Sequence, residues 1–199
     1  QSETNRRYRL GWALAKLGKA ARRQLDLGRV VLPYLEVLVE QTGETASLVV
    51  LDGGSAVCAA QSPSHWTVRG FTPVGQRLDP HCTAPGKVLL SSLSDEDFDR
   101  HVRSHGLPRM TVNTIVNSEQ LRGEIERIRE QGFSMDFGEV EVSEHCVSAP
   151  VRGSQQQVVA AIAIMGPADR LTPRRMRECA PIVKAIASTI SAEVFSAPA

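Results

Sequence analysis

The sequence predicts an α+β fold: a mainly antiparallel sheet of about six strands, with helices before, between and after its two groups of strands. Three observations carry this. Runs rich in β-branched and aliphatic residues come in two groups of three, within 45–72 and 133–165. Stretches with apolar residues at helical spacing precede, separate and follow those groups. Turn residues punctuate each group at short intervals, as a meandering sheet requires.

The elements follow in order. Leu10, Leu14, Leu17 and Ala21 fall on one helical face, so residues 10–23 read as an amphipathic helix. Asp26 can cap a second helix running to about Gln41, with Val31, Leu35 and Leu38 on its apolar stripe. Pro33 should kink that helix or move its start, and Gly43 should stop it. Thr45–Leu51 reads as a strand, Asp52-Gly53-Gly54 as a tight turn and Ser55–Ala60 as its partner. A third strand is expected around Trp66–Thr72. Helices then begin near Thr83 or Ala84, at Ser94 (with Asp97 three residues on, as in a capping box) and at Asn117 or Ser118. Gly132 should end the last of these. Phe133–Phe137, His145–Val151 and Gln157–Met165 read as three more strands, and Gly153-Ser154 joins the last two. Thr172 and Pro173 open a final helix, as cap and first residue. Its buried face is expected to hold Cys179, Ile182, Ile186 and Ile190.

Composition narrows the class. With 199 residues, 42% hydrophobic and 23% charged, the chain has the make-up of an ordinary globular domain. Its apolar runs are too short to cross a bilayer, and no secretory leader is visible. Cys58, Cys82, Cys146 and Cys179 are scattered without a C-x-x-C pair, which favours reduced thiols and a cytoplasmic setting. Net charge is +1, but seven of the 23 basic residues and one of the 22 acidic ones lie in residues 1–23. The mildly acidic remainder is a poor source of the phosphate neutralisation that DNA binding needs.

No nucleophile elbow, phosphate loop or dinucleotide fingerprint occurs. His81-Cys82 and His145-Cys146 form a matched pair of dipeptides. Brought together they could hold a soft metal or form a thiol–imidazole couple; otherwise Cys146 is a small buried apolar residue and His145 is exposed. In Leu78–Ser91 a loop feeds a helix whose first turn is Thr83-Ala84-Pro85-Gly86. Its backbone N–H groups could receive an anionic ligand, or its small residues could simply fit against the sheet. Asp136, Glu139, Glu141 and Glu144 form an acidic cluster. A solvated loop accounts for the glutamates, whereas Asp136, at the end of an apolar strand, can face a cavity.

Five blocks also resemble one family. R-Y-R-L-G at 7–11, P-H-C-T-A-P-G-K-V-L-L at 80–90 and L-P-R-M-T-V-N-T-I at 107–115 are the first three. H-C-V-S-A-P-V at 145–151 and G-P-A-D-R-L-T at 166–172 complete them. In this order they resemble the effector domain of IclR-type bacterial transcription regulators. The resemblance implies a GAF/PAS-like sensing domain rather than an enzyme: a curved antiparallel sheet flanked by helices, with an N-terminal connector helix, no cofactor and no metal. It implies that residues 1–25 link to a winged helix-turn-helix domain not in this chain, and that 26–199 bind effector and oligomerise. The partners implied are a small-molecule effector, copies of the chain in a homodimer or tetramer, and operator DNA through the missing domain; no membrane is involved. The implied effector site is Leu78, Thr83, Ala84, Pro85, Gly86, Asp136, Cys146, Ala163 and Met165. Serines are frequent in the family where Ala163 and Met165 stand, and acidic residues where Phe137 and Gly138 stand. This points to an effector larger and more apolar than a two- or three-carbon keto acid, such as an aromatic acid. A metal or redox sensor built on the His-Cys pairs and a ligand-free dimerisation module are the alternatives.

Overall fold

The computed structural model describes residues 28–195. The helix expected at 10–23, the cap at Asp26 and the 1–25 segment lie outside those residues. Strands β1 (Thr45–Asp52), β2 (Ser55–Ser62), β3 (Arg77–Leu78), β4 (Ser134–Phe137), β5 (Glu144–Arg152) and β6 (Val158–Pro167) form one sheet. The order is β3-β2-β1-β6-β5-β4 and each neighbouring pair is antiparallel. The helices are α1 (28–42), α2 (Ala84–Leu90), α3 (Asp95–His105), α4 (Ser118–Gln131) and α5 (Pro173–Ile190). A 3-10 turn, Pro80–Cys82, precedes α2.

Local chemistry sets several boundaries. Gly53 and Gly54 both have positive φ (54° and 82°), the conformation a two-residue hairpin loop needs to match strand twist. Between Leu48 and Val49 the register slips by one, leaving Ala59 of β2 as the extra residue, and β2 bends there. Asn117 caps α4 by accepting from the Glu119 and Gln120 amides, and Gly132 closes it at φ 76°. Thr172 accepts from the Arg175 amide at the start of α5.

Alternation along the strands divides the core in two. Ala46 and Leu48, Val147, Ala149 and Val151, and Ala160, Ile162 and Ile164 face α1 and α5. The intervening residues face α2: Val49, Ala56 and Ala161 pack on Val88 and Leu89, while Cys146 and Ala163 pack on Ala84. All of α2 is buried, because its far side carries Leu90 into a cluster with Phe98, Leu121 and Ile125 of α3 and α4.

Three sequence expectations need correction. Trp66–Thr72 is not a strand; the third strand of the meander is the two-residue β3, and 65–76 is a loop. The loop runs over other residues rather than pairing: a Cβ on Gly70 would lie 2.7 Å from Met165 Cγ. The chain is helical on both sides of Pro33, whose ring is exposed on the face away from the core. On α5 the buried face is Met176, Cys179, Ala180, Val183, Ala187 and Ile190, with Ile182 and Ile186 only flanking it.

Candidate functional site

Sheet register brings distant residues into one row. Asp136 on β4 pairs with Cys146 on β5, which pairs with Met165 on β6. One step along the same face, Ala163 pairs with Ser47 of β1. Val49, Ala56 and Cys58 of the β1–β2 hairpin continue the floor. Thr83 and Pro85 at the start of α2 stand over it. Phe71, Thr72, Gln76 and Leu78 close one side, and Val140, Glu141, Glu144 and His145 the other. Together they enclose a cavity of about 120 Å³.

The loop wall is tied down. Cys58 exchanges main-chain hydrogen bonds with Gln76 and Gly75 (3.1 and 2.8 Å), and the Thr72 hydroxyl donates to Met165 Sδ at 3.4 Å. Farther out, the Arg170 guanidinium donates to both oxygens of buried Glu44 (2.6 and 2.7 Å). The same group donates to the Val68 carbonyl and lies over the Trp66 ring.

Asp136 is the buried carboxyl of the floor. Oδ1 accepts from the Glu139 amide at 2.7 Å. Burial pushes its carboxyl up to about 6, against the opposing pull of the Glu139 amide and the Lys87 charge. Lys87 is itself fully buried on α2. It donates to Glu139 Oε1 and to the Met135 carbonyl (2.8 Å), with Glu124 at 3.5 Å, and it opens onto a separate groove beside Asn113 and Phe137. Glu139 is therefore not part of a solvated loop; it is half of a buried ion pair. Glu141 is exposed and Glu144 half-buried, both on the cavity wall.

The two His-Cys pairs are not brought together. His81 Nε2–H donates to the Pro108 carbonyl (3.0 Å) and Cys82 Sγ to the Asp79 carbonyl (3.3 Å), and neither residue lines the cavity. His145, half-buried rather than exposed, donates from Nδ1–H to the Leu171 carbonyl (2.8 Å). Among the described residues no three His, Cys, Asp or Glu side chains cluster as metal ligands. Burial pushes the Cys82 thiol up to about 12 and that of Cys58 to about 11, and raises that of Cys146 well above the usual range. Buried, protonated thiols are poor nucleophiles.

Of the nine residues expected at the site, Leu78, Thr83, Pro85, Asp136, Cys146, Ala163 and Met165 line the cavity. Ala84 and Gly86 do not. Ala84 fills the space between α2 and the sheet, and a Cβ on Gly86 would come within 2.3 Å of Pro80. The small residues there serve close packing. At the helix start Pro85 has no N–H, and Thr83 takes the Gly86 amide through its hydroxyl (3.0 Å). It takes the Lys87 amide through its carbonyl (2.9 Å). Sequence reasoning missed Ser47, Val49, Ala56 and Cys58. Their period-two spacing on the hairpin is visible in the sequence, but the register that aligns them with Ala163 is not.

Residues 19–192 match the family described as bacterial transcriptional regulator IclR, C-terminal. The chain belongs to the IclR family. It is 34% identical over 184 residues to the transcriptional repressor AllR of Salmonella typhi, covering 92% of this chain and 68% of that protein. AllR of Escherichia coli K12 is 31% identical over the same length. The IclR protein of Thermotoga maritima superposes with a TM-score of 0.82 at 26% identity, over 96% of this chain and 78% of that one. A double mutant of the PobR inducer-binding domain from Acinetobacter, in complex with 3-hydroxybenzoic acid, gives a TM-score of 0.76 at 28% identity. That match covers 82% of this chain and 97% of the PobR domain. The six-stranded sheet and its helices are thus the effector-binding domain of an IclR-type transcription regulator. The relatives are regulators of transcription, not enzymes. Among the described residues no helix is long and apolar enough to cross a membrane.

Proposed function

We propose that this IclR domain senses a small organic acid with an apolar body about the size of one ring, bound in the cavity above Ala163 and Met165. The observation that carries the reading is the cavity itself. At about 120 Å³ it is close to the ~150 Å³ of a dry engineered cavity that holds benzene, and its floor is mainly aliphatic and sulfur-bearing. Ala163 and Met165 offer no hydroxyl to a two- or three-carbon keto acid. The aromatic acid in the similar PobR domain supports the same class.

Leu78, Thr83, Pro85, Asp136, Cys146, Ala163 and Met165 contact the effector in this reading, with Ala84 and Gly86 holding α2 in place. Ligand binding shifts the balance between two arrangements of the segments N-terminal to the sheet, and so the operator affinity of an attached DNA-binding domain. The working form is a cytoplasmic homodimer or tetramer. Thermal melting against small keto acids and single-ring acids tests the reading. At about a hundred times its dissociation constant a ligand adds roughly 2.7 kcal/mol, or on the order of 5–10 °C for a domain this size. A selective rise with ring-sized acids is expected. A rise confined to two- and three-carbon acids contradicts it.

A further inference from the structure

β4 is the outermost strand of the sheet, and its outer edge borders a groove of about 370 Å³ that is separate from the effector cavity. Two carbonyls on that edge are taken by side chains: Met135 by Lys87 (2.8 Å) and Phe137 by Asn113 Nδ2 (2.9 Å). The Lys87 ammonium has three donors, and the structure uses them all. They go to the Met135 carbonyl, to Glu139 Oε1 and towards Glu124 Oε1 at 3.5 Å. The polar atoms left over in the groove are acceptors. Glu139 is 5% exposed, and its Oε2 has no hydrogen-bond partner among the described residues. Glu124 gives its Oε2 to exposed Arg127 (2.6 Å), which leaves Oε1 on the side of Lys87. Asn113 has spent an amide N–H on Phe137 and has its oxygen to offer. A buried carboxylate oxygen without a donor is costly, and it calls for a partner. The sides of the groove are apolar: Ile115, Met135 and the ring of Phe137, which is 41% exposed.

We propose that this groove is a second ligand site, which takes a small organic cation: an ammonium group against Glu139 Oε2 and Glu124, and an apolar body against Phe137, Met135 and Ile115. An ammonium brings the donors that the two carboxylates lack, and the face of an aromatic ring attracts it further. A carboxylate ligand brings only acceptors. It would meet Glu124 and Glu139 with Lys87 already engaged. A neutral alcohol brings one donor and no charge. The groove shares no lining residue with the effector cavity, so the proposal stands whether or not that cavity takes the effector.

Titration of the chain at pH 8 with benzylamine, benzyl alcohol and benzoate, followed by the methionine methyl signals, tests this. Benzylamine is protonated there, and Glu139, pushed up to about 7 by burial, is mostly ionised. Benzylamine should shift Met135 in a saturable way and leave Met165 in place. Benzyl alcohol should bind about tenfold more weakly for want of the charge, and benzoate should not move Met135. Glu124→Gln, on the half-buried side of α4, should weaken benzylamine about fivefold. Glu139→Gln should abolish the Met135 shift. If that variant does not fold, Phe137→Ala, at an exposed ring, replaces it and should weaken benzylamine about threefold. No saturable Met135 shift up to about 20 mM benzylamine overturns the proposal and leaves Lys87 and Glu139 as a strut alone. Benzyl alcohol binding as tightly as the amine overturns it too, as does benzylamine binding that Glu124→Gln leaves unchanged. A shift of Met165 with benzylamine would put the amine in the effector cavity instead, against the proposal.

Discussion

At the scale of single residues, two charge pairs, Lys87–Glu139 buried and Glu44–Arg170 half-buried, hold the surroundings of the site. Lys87 and Glu139 are 1% and 5% exposed, and Glu139 Oε2 has no hydrogen-bond partner. Removing one partner of such a pair strands the other in a dry site. Lys87→Met should therefore cost about 3–5 kcal/mol in urea unfolding, and adding Glu139→Leu should recover most of it. Glu44 and Arg170 pin the 65–76 loop in the same manner; Glu44→Gln should loosen that wall and lower effector affinity more than it lowers the melting temperature. Asp136 gives a pH signature. Its folded carboxyl titrates at about 6 against 3.8 ordinarily, so the folded state binds more proton than the unfolded one between those values. Stability from this group is present at low pH and falls as pH rises from about 4 to about 6. The slope is up to about 1.4 kcal/mol per pH unit. Urea unfolding across that range should show a shallower slope in Asp136→Asn, the remainder coming from Glu139, whose carboxyl burial pushes up to about 7.

Elements explain what the sequence made legible. Boundaries set by local chemistry were readable: Thr172 before Pro173, Asn117 before α4, Gly53-Gly54 in the hairpin. Elements set by tertiary contact were not. Trp66–Thr72 has the texture of a strand, yet its shape depends on Arg170 and Met165, which are about a hundred residues away. The face of α5 is set by packing rather than by side-chain size: α5 lies close enough to the sheet to bury Ala180 and Ala187 while Ile182 and Ile186 flank them. Within the site, Asp136, Cys146, Ala163 and Met165 could be named from the family blocks, but the hairpin residues beside them depend on pairing across the sheet. Gly86 shows the same limit: it suggested an open anion site, whereas Pro80 fills the space above it. Gly86→Ala must push α2 off the 3-10 turn and should cost about 1–3 kcal/mol by chemical denaturation, with weaker effector binding as α2 shifts.

Across the whole molecule, the sheet separates ligand from output. The cavity lies on the α2 face, while α1, which leads towards the N-terminus, packs with α5 on the other. A ligand can bias α1 only through its difference in affinity between two arrangements of the strands in between. In a regulator carrying both domains, effector and operator should therefore alter each other's affinity by the same factor, in the range of about 5–150-fold. The position of the acid effector decides between these arrangements, and the four methionines report it directly. Met165 lines the cavity, Met135 the Lys87 groove, Met176 the opposite core, and Met110 is exposed. In a methionine-methyl NMR titration with a ligand that raises the melting temperature, Met165 should shift in a saturable way while Met110 and Met176 stay in place. An unmoved Met165 beside a shifting Met135 would contradict the cavity as the effector site.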